Sequence, residues 1–251
     1  MPTTGIQDGG GRVSVYDPAI NPTHATGLWR TCPLLEFLHD PSVGFLLDEN
    51  FASYNAAATT GDYVLTQATA GSAAISSTAP GTLSIDSGST TTAQGANVQR
   101  AKAAFVPAAG KDIWAEFNVS FTGVGALNVE TAIGLFELDT TVIAAAAVST
   151  ANGIGWTSVT DDGILLFDTE KASAAATQAA HTIVSATKVR LGFYVNGVTS
   201  IQQYINGVAV GSAVATANIP IVALYPTFVC QSGGTDQPVL HVHGYRIFQI
   251  R

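Results

Sequence analysis

Charged residues are scarce in this sequence. Asp, Glu, Lys and Arg make up 11% of its 251 residues, against about 25% in an ordinary soluble domain. The ten Lys and Arg form no basic stripe, and the formal net charge of −8 argues against binding to nucleic-acid phosphates. A surface made mostly of uncharged residues costs little to desolvate. The composition therefore favours a protein that packs against neighbours, with a soluble monomer coated in Thr and Ala as the open alternative.

Long apolar runs and disulfide frameworks are missing as well. No segment reaches the roughly 18 apolar residues of a membrane span, and the first residues do not resemble a secretory signal. We therefore expect neither membrane association nor secretion by a visible signal. The two cysteines, Cys32 and Cys230, are predicted to be reduced and packed as small apolar residues, with a single bridge between them as the alternative.

Long helical periodicity is absent, and short strand-like runs take its place from Phe45 to Arg251. The run 113–121 alternates cleanly, with Ile, Ala, Phe, Val and Phe on one face and Trp114 with three polar residues on the other. This pattern predicts antiparallel strands with one buried face. The Ala-rich stretch 170–181 has no such alternation, and we expect a loop or a short helix there.

Two Asn-Gly pairs, Asn196-Gly197 and Asn206-Gly207, lie ten residues apart between apolar runs. Asn and Gly tolerate the positive φ angles of a type I′ turn better than other residues, so each pair indicates a hairpin. Two hairpins in succession predict a three-stranded meander. We expect these four residues to serve backbone geometry and not a binding site.

The stretch 188–230 with this meander, followed by "LHVHGYRIFQIR" at 240–251, resembles the C-terminal half of concanavalin-A-like and laminin-G-like domains. The resemblance implies an all-β fold, an antiparallel jelly-roll β-sandwich over residues 45–251. It implies no activity, because this fold carries lectins, glycosidases and inert structural domains alike. Together with "GLFELDT" at 134–140 and the low charge, the chain also resembles head-decoration proteins of tailed-bacteriophage virions.

Residues 1–44 differ from the rest and are predicted to form an extended N-terminal arm. The segment has prolines at positions 18, 22, 33 and 41, which exclude a regular central strand, and a short helix is expected at 33–39. Its large apolar side chains indicate that it docks on something, either a partner or its own domain. The expected anchors are Tyr16, Trp29, Leu34, Leu35, Phe37 and Leu38.

Candidates for catalysis are weak. Retaining glycosidases on this sandwich carry three alternating carboxylates on one strand. Glu137 and Asp139 match the first two positions, but Thr141 or Val142 replaces the acid/base. We therefore expect no enzyme and interpret these two as exposed carboxylates on one strand face.

Candidates for metal binding are weak too. His241 and His243 share one strand face and could hold a metal, although a surface pair is the simpler interpretation. Asp161, Asp162 and Asp168 could offer oxygens to Ca²⁺, although an Asp-Gly turn explains "DDG". No cofactor and no metal are predicted.

Three functions follow from these observations. The first is a non-enzymatic decoration or cement protein on the surface of a phage virion, made in the host cytoplasm. It would bind the major capsid protein through its arm and form a homo-oligomer, with a trimer favoured. The second is a carbohydrate-binding module of a phage fibre or surface protein, for which Tyr63 and Trp156 are the candidate glycan contacts. A glycoside hydrolase is the third.

Overall fold

Two antiparallel β-sheets packed face to face form the body of the molecule. The computed structural model describes residues 4–7, 13–16, 27–56, 61–68, 70–125, 127–144, 147–159, 162–215 and 217–251. The first strands are β1 (Thr4–Gln7), β2 (Val13–Tyr16), β3 (Gly44–Glu49), β4 (Val64–Gln67), β5 (Ser72–Ile75), β6 (Leu83–Asp86), β7 (Gly95–Gln99), β8 (Ile113–Thr122), β9 (Val129–Phe136) and β10 (Ile143–Ala144). The others are β11 (Ala147–Val148), β12 (Gly153–Ser158), β13 (Ile164–Lys171), β14 (Ala174–Thr182), β15 (Val189–Asn196), β16 (Ser200–Ile205), β17 (Val208–Ala215), β18 (Tyr225–Ser232) and β19 (Val239–Ile250).

Seven strands build one sheet in the order β14-β13-β12-β9-β18-β7-β4. Eight strands build the other in the order β17-β16-β15-β8-β19-β6-β5, with β3 paired to the second half of β19. β1 pairs with β2, and β10 with β11, in separate two-stranded sheets. The expectation of an all-β antiparallel sandwich is confirmed. No helix among the described residues is long and apolar enough to cross a membrane.

The core lies between the two sheets and is rich in aromatic rings. Phe117 of β8 packs against Phe193, Phe228 and Tyr245 with ring centroids 5.8 to 6.1 Å apart. The alternation predicted for β8 is confirmed, since Ile113, Ala115, Phe117, Val119 and Phe121 all belong to this core. Both cysteines are unpaired, and Cys230 is buried.

The predicted meander is present as β15, β16 and β17. Asn206 and Gly207 have φ angles of 52° and 79°, as a type I′ turn requires. Asn196 is different: only Gly197 has a positive φ there, and a loop of residues 197–199 closes with a hydrogen bond from Thr199 N to Asn196 O at 2.9 Å. The type I′ prediction is therefore wrong for Asn196.

The Ala-rich stretch 170–181 is wrongly predicted as a loop or helix. Residues 174–182 form β14, which pairs with β13 along its whole length after a two-residue turn at Ala172 and Ser173. Alanine has low strand propensity, and the pairing with β13 overrides it here.

The outer face of the eight-stranded sheet is partly covered by residues 27–43, which we name the covering segment. The segment consists of 3-10 turns at Leu28–Thr31 and Pro41–Val43 and the helix α1 at Leu34–His39, close to the predicted helix. Leu28 is buried against Trp114 and Phe248. It also lies so near Gly192 that a Cβ at that position would have no room.

Three of the expected anchors lie in this intramolecular contact. Trp29, Leu34 and Phe37 pack against the Leu28 cluster, with the Phe37 ring 5.5 Å from the ring of Phe248. The interpretation in which the arm lies back on its own domain thus describes residues 27–43. Leu38 is 72% exposed. The side chains of Tyr16 and Leu35 lie outside the described part, and a docking role for the anchors stays a prediction.

Candidate functional site

Glu137 and Asp139 anchor a loop and do not share a strand face. Glu137 directly follows β9, and its carboxylate accepts hydrogen bonds from Ala151 N at 2.7 Å, Asn152 N at 3.2 Å and Asn152 Nδ2 at 3.0 Å. The carboxylate of Asp139 accepts a hydrogen bond from Thr141 N at 2.8 Å. The interpretation of two exposed carboxylates on one strand is therefore wrong, because both side chains hold backbone N–H groups.

Glu137 closes a loop whose described residues, 137–144 and 147–152, fold over the outer face of the seven-stranded sheet; we name these residues the face loop. Its Val142 and Ile143 form an apolar cluster with Ala132, Phe136 and Val229 of the sheet. Amide side chains of β7 bind its backbone: Asn97 Nδ2 donates to Asp139 O, and Gln99 Nε2 donates to Glu137 O, at 2.8 and 2.9 Å. In the described part of the chain, the middle of this face is therefore covered by the loop.

A pair of buried acids, Asp168 and Glu170, lies two residues apart on β13, on the same outer face. They are only 8% and 9% exposed. Thr157 donates a hydrogen bond to Asp168 Oδ2, and the other carboxylate oxygen has no partner within the described residues. Gly155 and Gly153 are their strand neighbours, and the Phe136 ring lies so close over Gly153 that a side chain there would collide with it.

This acid pair was missed in the sequence, although "FDTEK" alternates as a strand does and puts both carboxyls on one face. Burial, together with the charge of Asp168, raises the pKa of Glu170 to about 7. The calcium alternative is not supported by the geometry: Asp162 caps Ile164 N at 2.9 Å, and Asp161 lies outside the described residues.

We expect the raised pKa of Glu170 to make the fold less stable as the pH rises. The folded state binds this proton more tightly than the unfolded chain, where the pKa is about 4.3. The stabilisation is therefore complete below about pH 4 and is lost as the pH passes 7. Glu170→Gln should have the same free energy of unfolding as wild type near pH 4, and in urea unfolding at pH 8 it should exceed wild type by about 3 kcal/mol.

The exposed Glu36→Gln is the matched control for this measurement, since it removes the same charge without burial. The free energy of unfolding of Glu36→Gln should equal that of wild type both at low pH and at pH 8. An equal gain for both variants would show that net charge, and not burial of Glu170, sets the pH dependence.

His241 and His243 both lie on β19, and four hydroxyl groups surround them. His241 contacts Ser84 Oγ at 3.0 Å and Thr122 Oγ1 at 2.9 Å. His243 contacts Thr82 Oγ1 and Ser120 Oγ at 3.1 and 2.9 Å. Burial lowers the pKa of both imidazoles, that of His243 to about 4, with Lys188 and His241 adding to the shift for His243.

These histidines therefore link β6 to β8 as neutral rings whose nitrogens are all engaged. Within the described residues, no group of three or more His, Cys, Asp or Glu side chains could hold a metal ion. Both side chains are half-buried, and their rings belong to the polar contacts between neighbouring strands.

The expected glycan contacts are wrong, because both side chains are buried. Trp156 is 0% exposed and packs on Phe167, with ring centroids 5.3 Å apart. Tyr63 is 2% exposed, and its hydroxyl lies 3.0 Å from that of Tyr245 and 3.1 Å from Glu49 Oε2. The large apolar residues that are exposed in the described part are all aliphatic.

One surface depression lies at the end of the sandwich where β8 and β14 end. Its volume is about 70 Å³, and it is partly open to solvent and lined by Phe121, Leu165, Ile183 and Val189. Its rim contains the hydrogen-bonding groups of His181, Thr187, Lys188 and Asn206. Burial lowers the pKa of His181 below its usual value and so favours the neutral ring. No local pattern in the sequence indicates this depression, because its walls come from four strands, the loop 183–188 and the turn at Asn206.

Comparison with known proteins finds similarity in fold only. No family model and no curated protein matches the sequence. A protein of unknown function from Shewanella oneidensis MR-1 is 12% identical, with a TM-score of 0.57 over 83% of this chain and 87% of the other. The lectin-like defense protein arcelin-5 from Phaseolus vulgaris is 9% identical, with a TM-score of 0.56 over 83% and 100%.

An endo-1,3-beta-glucanase from Streptomyces sioyaensis is 10% identical, with a TM-score of 0.54 over 83% of this chain and 96% of the enzyme. The fold is a concanavalin-A-like jelly roll. The resemblance stated for the meander and the last strand is confirmed at the level of this fold. Because the same jelly roll serves lectins and a glucanase, the function has to be argued from the residues described above.

Proposed function

We propose that this protein is a non-enzymatic structural protein that decorates the capsid of a phage. The observation that carries the proposal is the face loop, which fills the outer face of the seven-stranded sheet with the chain's own residues. With the covering segment on the opposite sheet, both broad faces are already partly occupied. What remains exposed is poor in charge and suits contact with neighbouring subunits.

The state of the carboxylates also supports a protein without catalysis. A retaining glycosidase needs two accessible carboxyl groups about 5 Å apart beside the substrate. Glu137 is engaged in three hydrogen bonds within the face loop. Asp168 and Glu170 are buried beside the Phe136 ring and leave little surface for a sugar.

Attachment to the capsid is assigned to residues 1–26 and not to the whole arm. The apolar groups of residues 27–43 are largely used within the molecule, whereas Tyr16 lies in the earlier part. Strands β1 and β2 form a two-stranded hairpin, and such a hairpin is marginal in water unless it packs on something else. The partner would be the major capsid protein, with the protein located on the virion after synthesis in the host cytoplasm.

Decoration of this kind stabilises a capsid by mass action. A protein that binds only the assembled shell lowers the free energy of that shell relative to its free subunits. The binding needs no reaction and no cofactor. It does need many copies arranged with the symmetry of the lattice, which a homo-oligomer provides.

The test uses particles purified by density gradient from the organism that encodes the chain. Antibodies against residues 45–251 should label intact particles in electron microscopy. Particles from which this protein has been removed should bind it again when full-length protein is added. The variant lacking residues 1–26 should not rebind. Particles without label would contradict the proposal, and full rebinding of the truncated variant would contradict the assignment to residues 1–26.

Carbohydrate binding is the second candidate, favoured by the depression lined by Lys188, His181 and Asn206. Its polar rim over an apolar floor is typical of small-ligand sites. A glycan array with full-length protein tests this function. Binding that Lys188→Ala and Asn206→Ala abolish would support it, and an array without signal would leave the structural role as the better account.

A further inference from the structure

The seven-stranded sheet ends on one side in a long strand whose outer edge pairs with no other strand of the described part of the chain. β14 has nine residues and pairs only with β13 among the described strands, whereas β4 at the opposite end of the same sheet has four. Natural proteins protect edge strands by keeping them short or by placing charges and prolines on them. β14 has no Lys, Arg, Asp, Glu or Pro, so neither device is present.

The hydrogen-bond pattern shows which backbone groups of β14 face outward. The turn at Ala172 and Ser173 has two residues, both with positive φ, so Lys171 and Ala174 form the first hydrogen-bonded pair. Pairs then alternate along the ladder. The N–H and C=O groups of the residues at 175 and 177 therefore point away from β13 and lie along the open edge.

We propose that this edge is a dimer interface, in which residues 174–178 pair antiparallel with the same residues of a second copy. A strand that pairs antiparallel with itself has a two-fold axis, so both copies offer the same surface. With the axis at residue 176, the groups of 175 and 177 on one copy match those of 177 and 175 on the other. This register uses the four outward N–H and C=O groups of each copy.

Two features favour a second copy as the occupant. The strand contains no charged residue, so two copies meet without repulsion, and burial lowers the pKa of its only titratable group, His181, so that the ring is neutral at pH 7. Alanine gains little from side-chain packing in a sheet, and a second backbone partner supplies hydrogen bonds that do not depend on side chains. The irregular step near residue 179 lies outside the paired stretch.

β17, the edge of the other sheet, lies beside β14 but is less regular. Three of its residues, 211–213, stand opposite the single residue Gln202, and Gly211 has a φ of 65°. Such bulges bend an edge and hinder its pairing. The interface is therefore assigned to β14. The resulting symmetry is two-fold and differs from the trimer that the sequence favours.

The test is sedimentation equilibrium of the purified full-length protein at concentrations from below one micromolar to tens of micromolar. Wild type should form dimers. Thr177→Pro removes an outward N–H that has no backbone partner among the described strands, and it should weaken dimerisation at least tenfold. Thr177→Ser keeps the N–H and should dimerise as wild type does.

A second variant, Thr177→Lys, places a charge on the exposed edge position and should also weaken dimerisation. Circular dichroism confirms that each variant is folded, and Thr177→Lys serves alone if the proline variant is not. A monomeric wild type, or dimers that survive both changes, would overturn the proposal. Because this measurement contains no capsid, it tests dimerisation separately from capsid attachment. Either proposal can therefore be contradicted while the other holds.

Discussion

Removal of residues 1–43 is expected to destabilise the body severely, with a melting temperature about 10–20 °C lower or loss of soluble protein. The truncation takes away Leu28, which is 2% exposed, and with it Trp29, Leu34 and Phe37. A fully buried side chain of this size contributes about 1.5–3 kcal/mol. A loss of roughly 5 kcal/mol is comparable with the total stability of many domains.

The truncation of residues 1–26 is the matched comparison. It leaves the covering segment in place, so the melting temperature should stay within about 2 °C of the full-length value. Differential scanning calorimetry of the two truncations measures the contrast directly. Equal melting temperatures after both truncations would show that residues 27–43 contribute nothing to the stability of the body.

Two single substitutions refine this contrast. Leu28→Ala should cost about 3 kcal/mol, because it opens a cavity between Trp114 and Phe248. Leu38→Ala changes the same residue type on an exposed site and should cost less than about 0.5 kcal/mol.

Replacement of Arg100 by Met should lower the free energy of unfolding, measured in urea, by about 3 kcal/mol. Arg100 follows β7 in one sheet and forms an ion pair with Glu49 at the end of β3 in the other, with side-chain exposures of 18% and 16%. Tyr63 donates to the same carboxylate and lies under the guanidinium, 5.4 Å from ring centroid to Cζ. Without Arg100, a largely buried carboxylate loses its cation, and this kind of loss is strongly destabilising.

Lys102→Met provides the control, because it breaks a pair with Asp62 in which both side chains are more than half exposed. Exposed pairs contribute about 0–1 kcal/mol, so the midpoint of unfolding should hardly move. A cost for Arg100→Met as small as that of the control would mean that the two sheets are held by apolar packing alone at this edge.

Much of the fold was predictable, because alternation and turn chemistry are local properties of a chain. The run 113–121 identified its own buried face, and Asn206-Gly207 marked a type I′ turn through the φ angles that these residues tolerate. The same argument was wrong for Asn196, because a longer loop with only Gly197 at positive φ also connects two strands. The strand β14 was not predicted for another reason. Its alanines have little strand propensity, and pairing with the neighbouring strand β13 decides their conformation.

The candidate site was less predictable, because a pattern tells which residues share a face and not what covers that face. The sequence offered Trp156 as a candidate glycan contact, but only the packing of the two sheets shows that its ring lies in the core. The sequence pattern around Glu137 matches part of a catalytic motif. In the structure, the carboxylate of Glu137 instead accepts hydrogen bonds from Ala151 and Asn152 of the face loop.

The sequence by itself determined the strand-rich class, the meander and the scarcity of charge, since each depends on composition or on residues close in the chain. Tertiary structure alone decided which faces are closed. The covering segment meets Trp114 and Phe248 across about 80 to 220 residues of sequence, and the face loop meets β7 across about 40. Contacts at such separations depend on the free energy of packing two surfaces together, and no local pattern of residues encodes them.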